Sequence, residues 1–164
     1  MVEVFVVLNN VSSPQRLIDT AKVTYSANMD FVKGFIAVKV TGMAAQTGVP
    51  EVSRVAYKLS KTFMVLPTIK DAVEILKPTK IVMLVDSEVS EDLSSLRIND
   101  EDRILLIVSG IENGFTKAEL GLGIPVTIRE FTQLPPAPAT ALALYVLKNK
   151  IEKQTKPKNP QNKP

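Results

Sequence analysis

Apolar residues in this chain come in short dense blocks separated by stretches of helical spacing. Residues 2–8 are apolar except for Glu3 and lack the period-two alternation of a half-exposed strand, so they read as a strand buried on both faces. Similar blocks recur at 35–40, 63–66, 81–85, 103–108 and 125–128. Ser13 is placed to cap a helix whose first position is Pro14, and Leu17, Ile18, Ala21 and Tyr25 then fall near one face, which predicts a helix to about residue 25. Pro50 opens a second helix carrying Val52, Val55, Ala56 and Leu59, and Thr68 caps a third over 69–76 that ends at Lys77-Pro78. Short helical turns fit 91–96 and 116–120, and an apolar helix covers 139–148 after a loop punctuated by Pro135, Pro136 and Pro138.

Strands that alternate with helices over this length predict an α/β fold, with a mostly parallel sheet of about six strands and helices on both faces. Sheets of this kind bind ligands beyond the carboxyl ends of their strands. The loops at 9–14, 41–49, 109–115 and 129–138 are therefore the places to look for chemistry. The 41–49 loop is long and rich in small residues, and reads either as a binding loop or as a connector with a helical turn.

Composition narrows the chemistry more than the fold. The 164 residues are 45% hydrophobic and 23% charged, the balance of one globular core, which we place at 1–149. The formal charge of +3 suggests a nucleic-acid partner, but residues 148–164 hold six lysines and one glutamate, or +5, leaving −2 for residues 1–147. The basicity therefore belongs to a tail, 150–164, expected to be disordered, which either solubilises the chain or makes salt-sensitive contacts to RNA. The chain has no cysteine, which removes disulfides, thiolate metal sites and cysteine nucleophiles and fits a reducing compartment. It has no histidine either, which removes Ser-His-Asp triads and the commonest general base at neutral pH. The start Met1-Val2-Glu3-Val4 carries no secretory pattern and no apolar run reaches membrane-span length, so a cytoplasmic protein without a membrane partner is expected. No acidic cluster has the spacing of a metal site, and none is expected.

Three segments combine residues that can meet a ligand. Asn10 and Arg16 lie six apart across a strand-to-helix turn, where a planar guanidinium can hold a phosphate or a developing oxyanion. The same residues also fit a plain turn asparagine and a surface arginine. Ser109-Gly110-Ile111-Glu112-Asn113-Gly114 follows an apolar strand, and its glycines let backbone amides approach a ligand, although a two-glycine turn is common. The third segment runs from Gly123-Ile124-Pro125 through Leu134 to the Ala139 helix, whose apolar residues on several faces suit self-association as well as core packing.

Taken in order, these segments resemble the three motif regions of the SpoU branch of the SPOUT superfamily of RNA methyltransferases. Asn10 to Arg16 matches that family's Asn-to-Arg spacing, Ser109 to Gly114 resembles its Gly-x-Glu-x-x-Gly turn, and Ile124-Pro125 with the final Ala/Leu helix resembles its third motif. The resemblance implies a C-terminal trefoil knot, a homodimer, an RNA substrate and S-adenosylmethionine as cofactor. It makes Arg16 the catalytic candidate, with Asn10 beside it, and assigns the cofactor to Ser109, Gly110, Glu112, Gly114, Ile124, Leu134 and Ala139. Two departures stand out: Gly114 arrives one residue early, and Leu134-Pro135-Pro136 stands where a Ser-Leu-Asn stretch is expected.

Over its whole length the chain is more closely similar to an archaeal family labelled RecB-family nucleases, through residues 10–16, 44–50 and Ile124-Pro125. Nucleases of that kind hold magnesium with an Asp and a Glu-x-Lys element, and no Glu-x-Lys occurs here. Three readings follow: a cofactor-binding RNA methyltransferase, a non-catalytic dimeric binding protein of the same fold and, disfavoured by the missing element, a metal-dependent nuclease.

Overall fold

The computed structural model describes residues 1–156 and contains one sheet of seven strands, all parallel. The strands are β1 (Glu3–Val11), β2 (Val32–Val40), β3 (Phe63–Leu66), β4 (Lys80–Leu84), β5 (Glu91–Asp92), β6 (Arg103–Ser109) and β7 (Ile124–Thr127). They lie in the order β3-β2-β1-β6-β4-β7-β5. The helices are α1 (Pro14–Ser26), α2 (Val49–Leu59), α3 (Ile69–Leu76), α4 (Lys117–Leu120) and α5 (Pro136–Thr155). β1 sits at the centre between β2 and β6, so the run that reads most strongly as doubly buried has a neighbour on each side and a helix layer on each face.

The alternation of side chains along the strands divides the core into two layers. Val4, Val6 and Leu8 join Phe35, Ala37, Leu106 and Val108 under α1, α2 and α5, through Leu17, Ala21, Val52, Ala143 and Leu147. Val7 faces the other way, with Ile36, Val38, Leu105 and Ile107 beneath Ile69 and Ala72 of α3. Helices thus cover both faces, as the sequence predicts.

Three boundaries differ from the expected ones for identifiable reasons. β1 does not turn at Asn9. Asn10 takes a left-handed conformation (φ 64°), as does its neighbour Lys39 in β2 (φ 51°), so both strands kink at one level and Val11 still pairs with Val40. Asparagine tolerates this conformation better than most residues. A seventh strand, β5, consists of two residues paired with Val126 and Thr127, too short for any periodic signal. α5 begins at Pro136 and runs to Thr155, well beyond residue 148, because Ile151 packs on the core and Gln154 Nε2 donates to Ile98 O at 2.7 Å. Residues 150–155, assigned from sequence to the tail, therefore belong to the helix, while 157–164 lie outside the described residues.

The 41–49 segment is a connector. It forms a π-helical turn over Ala44–Gly48 that leads into α2, Ala44 is buried, and its N–H donates to Ser12 O at 3.1 Å. A Cβ at Gly48 would lie 3.0 Å from Leu17 Cδ2 and 3.3 Å from Pro14 Cα, so the turn is docked on the start of α1. Among the described residues no helix is long and apolar enough to cross a membrane.

Candidate functional site

The carboxyl ends of β6, β4 and β7 open into a cavity of about 630 Å³, within the range of small-molecule sites. Its walls come from distant parts of the chain: Arg16 of α1, Leu84 to Ser87 after β4, Ser109 and Ile111 to Phe115 after β6, and Gln133 to Pro136 with Ala139 around the start of α5. A more open depression of about 440 Å³ adjoins it and shares Arg16, Ile111, Glu112 and Asn113, with Ser12, Ser13 and Gly110 added.

Local chemistry explains how each wall is held. Ser13 caps α1 by accepting from the Arg16 N–H at 3.2 Å, which sets the start of the helix and the origin of the Arg16 side chain. Arg16 Nη1 donates to Gly110 O at 2.9 Å, and Nη2 lies 3.7 Å from Glu112 Oε1. Glu112 is almost fully exposed, so the carbonyl contact contributes more to the arginine's position than the ion pair does. The 109–114 turn is tied internally: Ser109 Oγ donates to Ile111 O at 2.9 Å and accepts from Ile111 N–H at 3.3 Å. Gly114 has φ +70° with open space where a side chain would be, which leaves its backbone accessible to a ligand. Gly110 is required for a different reason, since a Cβ there would lie 2.6 Å from Asn10 O.

The opposite wall is held by two carboxylates that follow β4. Asp86 Oδ2 accepts from Gln133 N–H at 3.1 Å and keeps Gln133 in a left-handed conformation (φ 52°). Asp92 Oδ2 accepts from Arg129 N–H at 3.2 Å. Hydrogen bonds from the Ser94 hydroxyl and N–H, with that of Arg129 added, hold Asp92 below the usual carboxylate range.

Beside the cavity, Glu119 is buried on the α3 side of the sheet. It closes a capping box with Thr116 and accepts from Asn9 Nδ2 at 2.7 Å and Lys39 Nζ at 3.4 Å. Burial opposes its ionisation, but hydrogen bonds from Thr116 and Asn9 and the Lys39 ammonium outweigh it, so the carboxyl titrates below its ordinary value. This group links the segment following the 109–114 turn to the ends of β1 and β2. Its stabilisation is complete above the ordinary carboxyl range near 4.5 and is lost as pH falls through the lower folded value. Glu119→Gln is therefore expected to cost about 2 kcal/mol at pH 7, with the gap to wild type closing in acid. Denaturant melts at pH 7 and below pH 4 check this, and a gap that widened in acid would contradict it.

Of the residues singled out in the sequence, Arg16, Ser109, Glu112, Gly114, Leu134 and Ala139 line the larger cavity and Gly110 lines the adjoining one. Asn10 and Ile124 line neither. Asn10 contributes its kinked backbone behind Gly110, and Ile124 pairs with Val82 at the start of β7. Sequence reasoning missed Asp86, Gln133 and Phe131, which are also on the wall, although Asp86 directly follows an apolar strand at its carboxyl end. It also missed Glu119, whose Thr116-x-x-Glu119 spacing is a readable capping-box signal. Among the described residues no group of three or more His, Cys, Asp or Glu is arranged to hold a metal ion.

This sheet order, with a cavity between the 109–114 turn and the start of the last helix, defines a SPOUT-type α/β protein of the SpoU branch. The SpoU methyltransferase of Streptomyces viridochromogenes, solved in complex with the cofactor AdoMet, superposes with a TM-score of 0.71 at 15% identity, over 92% of this chain and 61% of that one. A protein whose structure concerns 2-OH methylation of C/U34 on tRNA gives a TM-score of 0.71 at 12% identity, over 92% of this chain and 97% of the other. At these identities the likeness is one of fold.

Sequence comparison is more particular, and the chain belongs to the RecB-family nuclease (DUF2122) family, whose model matches residues 42–146. A relative from Aeropyrum pernix, described as a candidate type II restriction enzyme, is 38% identical over 148 residues, or 89% of this chain and 93% of the relative. One of like description from Methanocaldococcus jannaschii is 28% identical over 154 residues, or 92% of this chain and all of the relative.

Proposed function

We infer that this protein binds S-adenosylmethionine in the larger cavity and transfers a methyl group to RNA as a homodimer. The observation that carries the reading is convergence. Arg16, the 109–114 turn and the 134–139 segment are far apart in sequence, and each belongs to a segment that resembles one motif region, yet all three line one cavity. The residues present suit such a ligand: the volume is adequate, Gly114 leaves backbone open to it, and Leu134, Pro135 and Ala139 offer an apolar surface. When bound, the cofactor supplies an electrophilic methyl group. Arg16 is the one cation on the cavity wall among the described residues, and with Nη1 anchored on Gly110 O its fork remains oriented along the rim. There it orients a phosphate of the substrate or stabilises negative charge as a ribose hydroxyl loses its proton. The RNA substrate is supported by the kind of enzyme that shares the fold, and self-association by the exposed Tyr145 on α5.

Titrating the purified protein with S-adenosylmethionine by calorimetry tests the reading. Saturable binding at one site per chain is expected. No binding at millimolar cofactor, weaker than about −4 kcal/mol, overturns it. One observation favours a second reading. Arg16 is already engaged by Gly110 and Glu112, and Pro135-Pro136 replaces the expected polar stretch, as in a scaffold that binds RNA without catalysis. RNA binding without cofactor would favour that reading, and magnesium-dependent cleavage would favour a nuclease, as the relatives' description suggests.

A further inference from the structure

Helix starts at the carboxyl edge of an α/β sheet commonly meet phosphate with their free amides. α5 starts at this edge but has almost no amides to offer. Its N-cap is Pro135 and its first three residues are Pro136, Ala137 and Pro138. Proline has no N–H, so Ala137 alone keeps a donor among these four positions. The next amide, of Ala139, already donates to Pro135 O at 3.1 Å.

The charges on the wall point the same way. Among the described residues two carboxylates, Asp86 and Glu112, face one cation, Arg16, which is itself engaged by Gly110 O. Asp86 spends Oδ2 on the Gln133 N–H, and its other oxygen has no hydrogen-bond partner among the described residues. An anion entering this cavity would meet net negative charge and a single helix amide. A neutral ligand with hydroxyl groups would meet a free carboxylate oxygen and an apolar turn.

We propose that the cavity is selective for a nucleoside without phosphate, with Asp86 accepting from the ligand's hydroxyl groups and the Leu134 to Ala139 turn lying against its apolar face. The inference rests on the cavity being the ligand site proposed above, and it assigns Asp86 and the α5 prolines a role in discrimination. Phosphorylated nucleotides are excluded by missing donors as well as by charge.

Calorimetry with 5′-methylthioadenosine and AMP tests this, because the two share adenine and ribose and differ at the 5′ position, a neutral thioether against a phosphate. Methylthioadenosine is expected to bind about tenfold or more tightly than AMP. Equal or tighter binding of AMP overturns the proposal. Asp86→Asn keeps an acceptor for the Gln133 N–H and removes the charge, and should weaken methylthioadenosine about tenfold; unchanged affinity removes Asp86 from the account. The double variant Pro136→Ala, Pro138→Ala restores two amides with a good helix former. AMP affinity should rise severalfold with methylthioadenosine unaffected, and an unchanged AMP affinity overturns the role of the prolines. S-adenosylmethionine titrated alongside separates the two claims. Methylthioadenosine binding without S-adenosylmethionine binding overturns the cofactor reading and supports this one. S-adenosylmethionine binding with no preference over AMP does the reverse, and binding of none of the three overturns both.

Discussion

Arg16→Ala is expected to lower methyl transfer to RNA by about a hundredfold or more, with cofactor affinity and fold retained. The guanidinium donates to Gly110 O at 2.9 Å and stands at the junction of the two depressions, so its removal takes away the positive charge that the described residues bring to the cavity. The side chain is 36% exposed and its carboxylate partner 91%, so the stability cost should be about 1 kcal/mol or less. Arg16→Lys is the informative companion: it keeps a charge but loses the planar fork, and should recover only part of the rate. Single-turnover transfer, cofactor calorimetry and thermal melting on the same preparations check this. Unchanged turnover in the alanine variant would sink the assignment, and parallel loss of fold would mark Arg16 as structural.

Gly110→Ala should produce the largest loss of stability in the site, about 3 kcal/mol, seen as a drop in Tm of about 6–12 °C. The added Cβ would lie 2.6 Å from Asn10 O and 2.8 Å from Val11 Cβ, and the nearest atoms are backbone at a kink of the central strand. The strands must separate at the end where Gly110 N–H donates to Asn9 O at 2.8 Å, which carries the 109–114 turn away from Arg16 and weakens cofactor binding as well. Gly114→Ala is the control, because nothing lies within 4 Å of its Cβ position and only the left-handed conformation is penalised, at about 1 kcal/mol. A Gly110→Ala variant that melts with the wild type would refute the packing argument.

Much of the site is legible in the amino-acid sequence, because it is built from local features. The Asn10 to Arg16 spacing, the Ser13-Pro14 helix start and the glycines of the 109–114 turn each require only neighbours in sequence, and each lies at the carboxyl end of a readable strand. Other parts have no local signature. Asp86 reads as one acidic residue in a polar stretch until its contact with Gln133, 47 residues away, makes it a wall of the cavity. Asn9 reads as the first residue of a turn, yet it is fully buried in β1 and donates to Glu119, 110 residues on. The proline-rich segment before α5 looks like a loop that breaks structure, and two of its prolines instead cap and open the last helix.

The sequence alone determined the strand blocks, the helix caps, the two-sided burial of the central strand and so the parallel α/β class, because burial and capping act over a few residues and leave their period in the chain. Tertiary structure decided the strand order, the two-residue β5, the length of α5 and the meeting of Arg16 with Gly110. Such choices turn on which distant surfaces pack and which polar groups find partners across them. That free energy arises only when the sheet assembles, and no local pattern records it.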